Sequence, residues 1–184
     1  MSSKEEVLRL QHESPQRLLD ALDILTQSHI NHAKRAFAAG ASGILFSIAN
    51  AKREELSPAD YARFSAPFDR RFFDATSSAK LNFLHLHWEN EYVDQFVGFN
   101  APVVNWSVQA SGVQVSTVRS KFSQTIATGI DEAKYKDLSL AQIRDQWQCA
   151  SGAAGSKFIL TPGCSVPNDS TDEQLSRLPQ VVGA

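Results

Sequence analysis

The sequence predicts an α/β domain built on about five parallel strands. Three observations carry that expectation. Short apolar or β-branched runs alternate with amphipathic helical patterns, and the connections between them are short. The chain is also long enough, at 184 residues, to bury a real core. Periodicity alone does not separate a doubly wound sheet from part of a barrel.

Met1 to Ser14 are polar and read as a frayed or partial helix, so residues 1–15 are set apart from a domain spanning 16–184. Pro15 opens a longer helix in which Leu18, Leu22, Leu25, Ala33 and Phe37 recur at near-helical spacing, and Gly40 stops it. The first strand is expected within Gly43–Ile48. Ser57 and Pro58 begin the next helix, with Asp60 favourable in its first turn. Tyr61, Phe64, Phe68 and Phe72 form its apolar stripe, which Pro67 should kink or divide. Residues 82–88 are the second strand candidate, 91–97 a short helix and 103–106 the third strand. Residues 113–122 look helical in part, and 125–130 form the fourth strand. Ser139 and Gln142 make a capping box with Leu138 and Ile143 as its staple, for a helix running to about Ala150. Cys149, beside Trp147 and Ala150, reads as packing. Residues 157–161 are the last strand, and Thr171 caps a short final helix.

Composition excludes several functions. The 18 Lys+Arg and 20 Asp+Glu balance to a net charge of −2, which leaves no nucleic-acid footprint. No run approaches the roughly 18 apolar residues of a membrane-spanning helix. Two cysteines are too few for a disulfide scaffold. A reducing, cytoplasmic setting is expected, with neither membrane nor nucleic acid as partner.

The candidate chemistry starts at His85 and His87, which leave the same face of a strand two residues apart. They are either a hydrogen-bonded neutral pair or metal ligands, near the carboxyl edge where α/β sheets bind ligands. Cys164 follows the last strand in a turn restricted by Pro162 and Gly163. It is either a small buried thiol or the third donor of a zinc site with one open position. Asn105 and Trp106 could bring an amide and an aromatic wall to the same mouth. Gly129 would allow close backbone approach there, and Asp131 could bind a polar group or orient a histidine.

These residues carry a family pattern. The segments Ala39-Gly40-Ala41, Gly43 to Phe46, Leu56-Ser57-Pro58, Leu84 to His87, Asn105-Trp106, Gly129-Ile130-Asp131 and Phe158 to Pro167 occur in the order found in the uroporphyrinogen decarboxylase family. That family also includes cobalamin-dependent methyltransferases, and the chain resembles its carboxyl-terminal portion. The resemblance implies a TIM-like (β/α) barrel that is incomplete here, with the five strands corresponding to strands four to eight. Two open edges would invite self-association or a complementary barrel fragment.

In the zinc methyltransferases of the family, a His-x-Cys pair and a later Gly-Cys hold the metal. His85 matches the histidine, His87 stands at the first cysteine position and Cys164 matches the second. The resemblance thus implies a zinc site at these three residues, with methyl transfer between a corrinoid, or corrinoid protein, and a small-molecule thiol. Asn105, Trp106, Gly129 and Asp131 would shape the substrate or cofactor side. Porphyrinogen decarboxylation is the second reading. It is disfavoured by Thr161-Pro162-Gly163-Cys164 where a Gly-His-Gly-like turn is expected, and by the lack of the strands that carry the decarboxylase arginines and aspartate. An inactive interaction protein that kept the scaffold is the third.

Overall fold

The computed structural model describes residues 4–52, 55–87, 89 and 92–182. Five strands form: β1 (Leu45–Ile48), β2 (Phe83–Leu86), β3 (Val103–Trp106), β4 (Thr125–Ile130) and β5 (Phe158–Pro162). They make one wholly parallel sheet in the order β1-β2-β3-β4-β5. A doubly wound sheet reverses direction at a switch point, whereas here every strand joins the edge left by its predecessor. That order is the winding of an incomplete TIM-like barrel. Among the described residues, the outer edges of β1 and β5 pair with no further strand.

Alternation along the strands creates two unlike faces. Leu84, Leu86, Val104, Trp106 and Ile126 point to the helix side and join one buried cluster with Ile30, Ala33, Phe72, Phe73, Val118 and Ala150. The other face carries a register row across all five strands: Ser47, His85, Asn105, Ala127 and Ile159. Its margins are open, with Leu45 59% and Ile159 37% exposed. Apolar exposure at both edges is what a barrel interior looks like when its remaining wall is absent.

The helices are α1 (Lys4–Glu13), α2 (Pro15–Ala38), α3 (Pro58–Phe64), α4 (Ala66–Ala75), α5 (Val108–Ser111), α6 (Val115–Lys121), α7 (Leu140–Ala154), α8 (Asp172–Leu175) and α9 (Arg177–Val182). Local signals explain most of them. Ser57 accepts from the Asp60 amide at 3.1 Å, and the capping boxes Ser139/Gln142 and Thr171/Gln174 both form. Pro67 divides the expected long helix. α3 stops at Phe64, and α4 begins so that the proline occupies its first turn, where no amide donor is required.

Four details differ from the sequence pattern. In α2 the buried stripe follows Leu18, Thr26, Ile30 and Ala33, while Leu25 lies one position off it and is exposed. α7 passes Gly152 and stops at Gly155, whose φ of +75° ends the helix. Cys149 is exposed and does not pack. Its neighbour Ala150 turns inward instead, and a Cβ on Gly129 would lie only 2.9 Å from the Ala150 methyl, so this close helix–strand approach needs two small residues. Of the expected 82–88 strand and 91–97 helix, Trp88 and Glu91 lie outside the described residues; the helix survives as a 3₁₀ turn at Val93–Phe96.

One packed carboxyl gives this fold a pH signature. Tyr61 donates to Asp69 Oδ2 at 2.9 Å. Burial pushes the Asp69 carboxyl up to about 6, against the opposing pull of that hydrogen bond. The native state then keeps a proton that the unfolded chain releases near 3.8, so stability falls as pH rises from 3.8 to about 6 and stays lower above. Asp69→Asn keeps an acceptor for Tyr61 and removes the charge. Thermal unfolding at about pH 8 should find the variant more stable by on the order of 1–3 kcal/mol, a gain that shrinks towards about pH 4.

Candidate metal centre

His85 is the third residue of β2 and stands in the register row of the uncovered face. His87 lies one residue beyond that strand, held by its backbone amide donating to Ile48 O at 3.0 Å. Cys164 comes from the turn after β5, which is pinned where the Gly163 amide donates to Ile130 O at 3.2 Å. The sheet therefore brings together side chains separated by nearly eighty residues of chain: Cys164 Sγ is 3.3 Å from His87 Nδ1 and 3.7 Å from His85 Nε2.

Those separations fit a tetrahedral ion. Zinc–sulfur and zinc–nitrogen bonds of about 2.3 and 2.05 Å at a tetrahedral angle place S and N about 3.6 Å apart, between the two observed distances. All three donor atoms lie within 4.8 Å of one another. The cluster can bind a metal through two nitrogens and one sulfur, and an open cavity of about 420 Å³ is lined by the same three residues. Leu45, Ser47, Phe83, Thr161 and Ser165 also line that cavity.

The ring of His85 is buried and held in one orientation. It is 6% exposed, and burial, the principal cause, lowers its pKa together with the nearby His87, against the opposing effect of Asn105. A neutral imidazole has one lone pair to give. His85 Nδ1 meets Asn105 Oδ1 at 2.5 Å, and that amide's orientation is fixed because its Nδ2 faces the carbonyls of Ala127 (2.7 Å) and Pro162 (3.2 Å). The proton of His85 therefore sits on Nδ1, and the Nε2 lone pair points at the sulfur.

The remaining expected pocket residues divide among three places. Asn105 lines the cavity. Trp106, its neighbour on β3, points the opposite way, is fully buried and donates from Nε1 to Val113 O at 2.9 Å. At Gly129 a φ of +118° directs the missing Cβ towards α7, on the helix side of the sheet. Asp131 accepts from the Lys134 amide at 3.1 Å while its own amide donates to Gln146 Oε1 at 3.0 Å, so it organises the turn after β4. The residue beside it, Glu132, belongs to no motif in the sequence. Glu132 is 1% exposed, its Oε2 has no hydrogen-bond partner among the described residues, and it lies 3.0 Å from the position of a Cβ on Gly163.

The chain is similar in fold to a "methyltransferase from Methanosarcina mazei", with a TM-score of 0.84 and 15% identity over 97% of this chain and 52% of that one. It is also similar to a "Putative Vitamin-B12 Independent Methionine Synthase from Listeria monocytogenes", with a TM-score of 0.63 and 14% identity over 88% of this chain and 53% of that one. The chain thus spans about half the length of these structures, and at such identities the likeness is one of fold. No curated protein sequence matches it. The family model for uroporphyrinogen decarboxylase (URO-D) matches residues 1–184, and the chain belongs to that family.

Proposed function

We propose that this chain is the metal-bearing part of a zinc-dependent methyltransferase, corresponding to strands four to eight of a family barrel, which moves a methyl group from a corrinoid to a thiol. The observation that carries this reading is the meeting of His85 Nε2, His87 Nδ1 and Cys164 Sγ at zinc-like spacing beside an open cavity. Zinc held there would supply a positive charge that makes an incoming thiol acidic and keeps its thiolate available as nucleophile. His85 and His87 would contribute neutral donors, and Cys164 the single negative one. The cavity between Ser47, Phe83 and Thr161 would seat the thiol's body. A cytoplasmic setting suits the exposed thiol of Cys149 and the half-exposed thiol of Cys164.

Porphyrinogen decarboxylation fits less well, because several substrate carboxylates call for cationic partners and the described residues lining this cavity include no lysine or arginine. The open edges of β1 and β5 favour one addition to the proposal: a second polypeptide, either another copy or a complementary barrel fragment, closes the wall around the thiol.

Equilibrium dialysis against zinc should find one ion per chain, and the cobalt(II)-substituted protein should change its visible spectrum when mercaptoethanol is added. Protein that stays metal-free in excess zinc, or a cobalt spectrum indifferent to the thiol, overturns the reading. In sedimentation velocity the protein should run heavier than its 20.3 kDa, alone or once its complement is supplied.

A further inference from the structure

Asn105 has both amide hydrogens engaged and its oxygen already turned to His85. Its Oδ1 faces His85 Nδ1 at 2.5 Å, and its Nδ2 has three acceptors: Ala127 O at 2.7 Å, Thr161 Oγ1 at 3.2 Å and Pro162 O at 3.2 Å. One planar amide on β3 therefore reaches the strand that carries His85, the strand behind it, and the last residues before Cys164. The two ends of the amide are not interchangeable, since two of the nitrogen's partners are backbone carbonyls that can only accept.

We propose that Asn105 is a positioning residue that sets the metal centre through two arms: its oxygen fixes the His85 tautomer that presents Nε2, and its nitrogen holds the β5 end at the depth that brings Cys164 to the histidines. This deepens the metal-centre reading and rests on it. A ligating histidine generally donates its other N–H to a fixed acceptor, and removing such an acceptor weakens metal binding by about 10- to 100-fold. Asn105 adds to that role a tie to the cysteine's own turn, so one side chain aligns nitrogen and sulfur donors from opposite sides of the centre. No other common residue supplies both arms at this length. Aspartate keeps the acceptor for His85 but sets a second oxygen against two carbonyls, and alanine loses both.

Two measurements separate this role from simple packing. Long-range ¹⁵N–¹H NMR of the metal-free protein should show His85 protonated on Nδ1. That proton should move towards Nε2 in Asn105→Ala and return to Nδ1 in Asn105→Asp. Competition with a chromophoric chelator should show Asn105→Ala binding zinc about 10- to 100-fold more weakly than the wild type. A role in packing alone would lower the melting temperature and leave the tautomer where it was. Protonation of wild-type His85 on Nε2, or an Asn105→Ala protein with unchanged tautomer and unchanged zinc affinity, overturns the inference. A wild-type protein that binds no zinc overturns the metal-centre reading instead, and the tautomers of the metal-free forms still decide whether Asn105 directs His85.

Discussion

Zinc binding by a Cys164→Ser variant is expected to be about a hundred- to a thousandfold weaker than by the wild type, with little change in melting temperature. The magnitude follows from charge. A structural zinc site is worth roughly 10–16 kcal/mol over four ligands, or about 3 kcal/mol and more for each. The loss should be heaviest at the only donor that becomes an anion. His85 and His87 give neutral nitrogens, so the thiolate alone lowers the charge of the bound ion, and a serine hydroxyl stays protonated and binds poorly. The fold should tolerate the change because Cys164 is half-buried in a turn whose backbone is held by Gly163 and Pro162. The same logic predicts the opposite sign at the neighbouring position: His87→Cys supplies a second thiolate and should bind zinc more tightly than the wild type. Chelator competition on the three proteins checks both. A serine variant within about threefold of the wild type would mean that the sulfur is a bystander.

The parts of this site that could be read from the chain are those set by short-range geometry. His85 and His87 share a face because strand side chains repeat every two residues. The runs 103–106 and 125–130 are bounded by proline, glycine or polar residues and become β3 and β4 with those limits. Both capping boxes are local patterns as well. The same period-two rule also argues against one expectation. Asn105 and Trp106 are adjacent on a strand and cannot both face one mouth, and the larger apolar ring takes the helix side, where it is fully buried. Other features depend on contacts between distant parts of the chain. The inversion at Gly129 answers to Ala150 on α7, and the burial of Glu132 answers to the Gly163 turn. The only local hint of Glu132 is an acid placed two residues beyond a strand end, which more often reaches water. Asn82 is a further case: its amide accepts from the Ile44 N–H, 38 residues earlier, and donates to Thr76 O, tying the start of β2 to the start of β1.

Replacing Gly163 by alanine should damage the centre without touching a donor. The reason is space, since a Cβ at this position would stand 2.4 Å from Ser107 Cα, 2.8 Å from Trp106 O and 3.0 Å from Glu132 Oε2. Two of those three neighbours are backbone at the end of β3, and the third is a buried carboxylate, so none can swing aside. The turn must lift, and Cys164 is the next residue. A shift of about 1 Å takes the sulfur out of a tetrahedral centre whose S···N separations leave little slack. Stability should fall by about 1–3 kcal/mol or more, as overpacking in a closed site does. Stability loss by itself proves nothing about position, which makes Gly43→Ala the informative companion. Its Cβ would meet Leu81 O at 2.1 Å, an equally rigid obstacle, but at the end of the sheet where β1 and β2 begin. Both variants should melt at lower temperature. Only Gly163→Ala should lose zinc affinity, by tenfold or more when measured on the folded fraction below its transition. Zinc binding at wild-type strength in Gly163→Ala would show that the centre does not depend on where this turn holds the sulfur. Equal losses in both variants would show that it responds to general loosening of the sheet.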